Sequence, residues 1–250
     1  MSTHTRGWFC AAAMAAAPVL LLALLLYHPV LAGVTVTPEA VTGALEADPA
    51  RWAAVHMLAV GLLALFVLAF QGLRGLLRDA GEQRWSSLAF PLVVVANVGI
   101  AALAGMQVAV AAAIPTGAGT LALVRAVQPW YLTLAVVAAV AFLLGALAFA
   151  AGVVRAGFMG RTTTAVVAVA LVVAGLAAVT PIFAASYVLV VAAFVAFWPL
   201  AWTTVRTEAT AQAGPEPGES EKPIAPRPRA AERHKGTLRS LGRRGSHAQH

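Results

Sequence analysis

Two histidines are the residues of this chain best placed to do chemistry. His28 stands in "LLYHPV" and His56 in "DPARWAAVHMLAV", each near the edge of a long apolar run. A neutral imidazole has one nitrogen that donates and one that accepts, and it is a common ligand for metal ions and haem iron. If the two runs are antiparallel neighbours, both rings fall at similar depth, because His56 lies about 6 Å along the helix from Trp52 at about 1.5 Å per residue. Two roles fit. In the first, which needs no cofactor, His56 bonds to a carbonyl of a neighbouring helix, to His28, or to Asp48 or Glu46, and orients the outer loop. In the alternative, His28 and His56 bind haem or a transition metal. A bis-histidine haem needs no further protein ligand, whereas zinc or copper would recruit a third group such as Asp48, Glu46 or Met57.

Few other residues invite chemistry. No Asp, Glu, Lys or Arg lies deep in an apolar run, and ion-coupled carriers normally keep such charges inside the bundle. Near mid-run the clearest polar residue is Asn97, in "LVVVANVGIAALAG". It reads as a helix-to-helix hydrogen bond or, alternatively, as part of the path of a neutral solute. Asp48 precedes Pro49, so its expected role is a helix cap. There is no Ser-His-Asp arrangement, no HExxH and no pair of intramembrane carboxylates, and a single cysteine, Cys10, excludes an internal disulfide. The expectation is a protein that is not an enzyme.

The elements that must position these residues are apolar helices. Of the 250 residues 60% are hydrophobic and 11% charged, too little charge for a soluble domain of this length. Runs of about 20 apolar residues match a hydrocarbon core about 30 Å thick, and backbone polar groups in lipid must pair internally, which dictates helix. The spacing predicts an all-α, polytopic transmembrane bundle with spans at about 8–31, 52–73, 86–108, 129–151, 162–180 and 183–203. All six tryptophans, Trp8, Trp52, Trp85, Trp130, Trp198 and Trp202, fall near span ends, where an indole is expected to sit at headgroup level. Arg6, Arg74, Arg78, Arg84, Arg155, Arg161 and the basic tail sort to one side of a six-span topology, leaving only Arg51 and Arg125 opposite. That sorting places the N- and C-termini in the cytoplasm and the protein in the cell (inner) membrane.

Between the spans, "TPEAVTGALEADP" carries Thr37, Pro38 and Glu39 as cap, first-turn proline and first-turn acid, and predicts a short interfacial helix. The segment "VAAAIPTGAGTLALVRAVQP" reads as a loop packed over the bundle mouth, without the spacing or lysine of a phosphate loop. Residues 1–205 form the six-span domain, and residues 206–250 are rich in proline and charge and read as a disordered, basic cytoplasmic tail. Its partners would be the anionic leaflet or a protein; nucleic acid is not expected, since no aromatic residue interleaves the cations. "VLAG" at Val30–Gly33 resembles a cleavage site, so removal of residues 1–32 is a competing reading of the first run. Three spans plus three would have inverted topology, but the two halves share no sequence correspondence.

Tyr27, His28 and Pro29 closing span one, an acidic loop, and Asp48, Trp52 and His56 opening span two resemble a group of uncharacterised bacterial multi-pass membrane proteins. The likeness covers about the first 85 residues. It implies about six helices and no activity. Function is therefore expected in one of three forms: an accessory or scaffold protein, a haem- or metal-binding protein using His28 and His56, or a carrier or channel for a neutral or hydrophobic solute.

Overall fold

The computed structural model describes residues 3–29, 36–117, 119–180 and 182–213. The basic tail from 214 onward and the cleavage-like 30–33 lie outside the described residues. The chain divides into two units, Met1–Gln212 and Ala213–His250, and the helical bundle is the first of them. The fold is all-α. Its helices are α1 (Thr3–Tyr27), α2 (Pro38–Ala47), α3 (Pro49–Asp79), α4 (Arg84–Ala113), α5 (Thr120–Ala156), α6 (Arg161–Ala178) and α7 (Ala185–Ala213). All but α2 are long and apolar enough to cross a membrane, which makes six candidate spans among the described residues. Helix α7 runs on through 206–213, the first residues that composition assigns to the tail.

Local chemistry sets the helix starts. Thr37 caps α2, its Oγ1 accepting from Ala40 N at 3.2 Å ahead of Pro38. Asp48 caps α3, its Oδ1 accepting from Arg51 N at 2.9 Å ahead of Pro49. Each cap replaces a missing intrahelical acceptor and contributes about 1 kcal/mol. Asp48 alone separates α2 from α3, so α2 turns back over the mouth of the bundle. At the opposite end, Glu82 is buried and accepts from Trp85 N at 2.8 Å and Ser86 N at 3.1 Å. A carboxylate there complements the positive end of α4.

The segment expected as a loop between spans three and four is mostly helix. Helix α4 runs to Ala113, a 3-10 turn occupies Ile114–Thr116, and α5 begins at Thr120 rather than at Pro129. Residues 120–128 contain no breaker, and Pro129 is accommodated inside the helix. Proline removes one backbone donor there, a defect that membrane helices tolerate when neighbours and hydroxyls compensate. Gly117 makes the tight reversal possible with φ of 80°.

The core is assembled around Phe70 of α3. Its ring stacks on Phe149 of α5 at 5.4 Å and meets Phe197 of α7 edge-on at 5.0 Å. Helices α4 and α5 approach closely where small residues permit it. A Cβ on Gly99 would lie 2.9 Å from Ala138 Cβ, and one on Gly145 would lie 2.7 Å from Val93 Cγ2. Gly105 has open space instead. Of the tryptophans expected in the headgroup belts, Trp8, Trp130, Trp198 and Trp202 are exposed on the bundle surface, but Trp52 is only 2% exposed. Its indole points into the protein because α2 covers it.

Candidate functional site

His28 follows directly on the end of α1, its backbone N–H donating to Leu24 O at 2.9 Å. His56 sits one turn beyond Trp52 on α3. In a helix, residues four apart share a face, and the Trp52 and His56 rings accordingly lie 4.8 Å apart between centroids. The His28 ring meets three others: His56 at 5.6 Å, Trp52 at 5.4 Å and Phe183, in the α6–α7 turn, at 5.6 Å. Arg51 ties α1 to α3 beside them. Its Nε donates to Tyr27 O at 2.7 Å, and its guanidinium lies over the Tyr27 ring at 4.9 Å. The structure therefore brings His28 and His56 together.

Both imidazoles are oriented in the same way. Nδ1 of His28 lies 2.8 Å from Pro29 O, and Nδ1 of His56 lies 2.8 Å from Trp52 O. A carbonyl oxygen can only accept, so each Nδ1 carries the proton and donates. The Nε2 of a neutral ring is then an acceptor, and no hydrogen bond to either Nε2 is made among the described residues.

The two rings form one wall of a cavity of about 500 Å³. Gln107 of α4 with Gln128 and Tyr131 of α5 line another side, Phe183 and Ser186 a third, and Thr37, Pro38 and Val41 of α2 lie over it. Among the described residues, no Asp, Glu, Lys or Arg belongs to the lining. Two other hollows, between α6 and α7 and between α5 and α6, are almost wholly apolar grooves on the bundle surface. The α2-covered cavity is the one where polar side chains converge.

Helix α2 is held down by two means. Val41 and Leu45 pack with Trp52, Val110 and Val124 in a small core of their own. Outside it, Arg125 donates to Glu39 Oε1 at 2.8 Å. The hydrogen bond from Arg125 holds the Glu39 carboxyl below its usual range. Two buried polar atoms in this region make no hydrogen bond among the described residues: the indole Nε1 of Trp52 and the hydroxyl of Thr42 on α2.

The other residues expected to act lie elsewhere. Asp48 is outside the cavity lining, and its carboxylate is engaged as the α3 cap. Met57 is exposed on the outer surface of α3. Among the described residues, no group of three or more His, Cys, Asp or Glu side chains gathers into a candidate metal site. Asn97 is buried, but its Nδ2 donates to Val93 O at 2.8 Å within its own helix, and it does not line the cavity. Sequence reasoning missed Tyr131, Gln128, Phe183 and Ser186 as wall residues. The available signal was a set of polar and aromatic side chains near the ends of several runs that share one end of the bundle. Compared with known proteins, the chain matches no family model, no curated protein and no solved structure.

Proposed function

We propose that this protein is a non-enzymatic integral membrane protein that binds a small uncharged molecule in the cavity beneath α2. The observation that carries the reading is the cavity itself: about 500 Å³, mainly apolar, with two imidazoles and a few other polar groups converging on it and no charged side chain in its described lining. Small-molecule sites have this size and composition. The cations Arg74, Arg78, Arg84, Arg155, Arg161 and Arg206 belong to the helix ends and turns remote from α2. The positive-inside rule therefore favours a cell-membrane topology with cytoplasmic termini and a cavity on the outer side. A scaffold acting through its helices and tail alone would have no need of such a lining.

The test is mass spectrometry of organic extracts from protein purified in lipid nanodiscs, wild type beside Ala135→Trp. Ala135 lines the cavity on α5, and an indole there takes up part of its volume and obstructs a ligand. A small molecule retained by the wild type and lost from an equally stable Ala135→Trp supports the reading. Identical extracts contradict it.

A second reading is favoured by one observation. Both Nδ1 atoms are fixed on backbone carbonyls, the outer-shell arrangement that metal-binding imidazoles usually have. A transition metal for which His28 and His56 would supply ligands would appear in elemental analysis of the wild type and vanish in His56→Ala.

A further inference from the structure

We infer that the occupant of the cavity is a neutral molecule with two hydroxyl groups on an apolar body, donating one hydrogen bond to Nε2 of His28 and one to Nε2 of His56. The inference deepens the cavity reading and rests on it.

Donors and acceptors select the ligand. Since Pro29 O and Trp52 O each take the proton of an Nδ1, neutral His28 and His56 present two lone pairs from rings 5.6 Å apart between centroids. A ligand carbonyl, ether or carboxylate facing them would set lone pair against lone pair. A cation would have donors but no counter-charge, for no carboxylate lines the cavity among the described residues. The charged side chain beside the pair, Arg51, is itself positive and engaged on Tyr27. Burying an uncompensated charge costs far more than a hydrogen bond returns. An amine would be protonated near neutral pH and fails on the same ground. Uncharged donors remain, hydroxyl groups foremost, because a hydroxyl that donates to an imidazole can also accept from Gln107, Gln128, Tyr131 or Ser186 in the same lining. The apolar wall of Val41, Val110, Val124, Val127 and Leu132 suits a hydrocarbon body.

The probe pair is 5-pentylresorcinol and its dimethyl ether, which differ only in the two hydroxyl protons and their methyl replacements. Calorimetric titration into nanodisc-embedded protein, with empty nanodiscs subtracted, gives the preference directly. Two hydrogen bonds should make the resorcinol about tenfold tighter or more. The ratio should shrink severalfold in His56→Phe and in His28→Phe, and be better kept in His56→Gln, whose amide oxygen still accepts. Equal affinities, or a tighter ether, overturn the inference. If Ala135→Trp still abolishes the binding of both, the cavity reading survives that failure. Binding of neither probe to the wild type overturns the inference and counts against the cavity reading as well.

Discussion

His28 and His56 meet edge to face with ring centroids 5.6 Å apart, one at the end of α1 and the other in the second turn of α3. Their Nδ1 atoms are held on backbone carbonyls, which leaves each neutral ring its Nε2 as an acceptor, and both rings line the same cavity. Neither bond involves another side chain, and Trp52 and Phe183 pack against the rings. A site built this way is pre-organised by backbone bonds and packing, and its occupant need not order it.

Trp52 separates packing from hydrogen bonding. Its ring is buried against His28 and His56, while its Nε1 has no acceptor among the described residues. Trp52→Phe should stay within about 1 kcal/mol of wild type, because the lost N–H makes no bond. Trp52→Ala should cost about 3–5 kcal/mol through the void it leaves. Thermal and denaturant unfolding in detergent would measure both.

Asp48 is a cap, and substitutions should behave accordingly. Asp48→Ala removes the acceptor for Arg51 N and should cost about 1 kcal/mol, whereas Asp48→Ser should be near neutral. Unchanged ligand content in both variants is expected. Loss of a bound metal in Asp48→Ser would contradict the assignment.

The glycines of α4 and α5 should differ sharply. Gly145→Ala drives a Cβ to 2.7 Å from Val93 Cγ2 and 3.2 Å from Ala89 O, and should destabilise by about 1–3 kcal/mol. Gly105→Ala meets nothing within 4 Å and should stabilise by up to about 1 kcal/mol from helix propensity alone. Unfolding curves of the two variants decide the matter.

The Glu39–Arg125 pair makes the seating of α2 acid-sensitive. The folded-state carboxyl titrates below its ordinary value because Arg125 donates to it. The pair's contribution is therefore present above the ordinary carboxylate value and is lost as pH falls through the lowered one. Carbon NMR of the Glu39 carboxyl should show a depressed midpoint that moves back toward the ordinary range in Arg125→Gln. Both groups are exposed, so added salt should weaken the shift.

The fold was largely legible, the site only in part. Runs of about 20 apolar residues have one structural solution in lipid, and Thr37-Pro38-Glu39 and Asp48-Pro49 announce their helices through cap chemistry. The meeting of His28 with His56 could be anticipated from a short linker between antiparallel runs. Trp52 could not be placed from its type, since an indole at a span end serves a headgroup belt or a buried wall equally well. Its spacing of four from His56 was the better guide. Tyr131 and Gln128 were obscured by Pro129, which reads as a helix start and lies inside α5. Glu82 carries no pattern of its own; only the burial of the α3–α4 turn reveals it as a cap.

Whether His28 and His56 offer two bare acceptors to a cavity ligand can be read from one ¹⁵N spectrum of histidine-labelled protein in nanodiscs, with both rings assigned by single substitution. A protonated Nδ1 and a bare Nε2 are expected on each ring. Both Nε2 signals should move when an organic extract of the source membrane is added, and stay still in Ala135→Trp. Protonated Nε2 atoms, or signals that ignore the extract in the wild type, would contradict the proposed site.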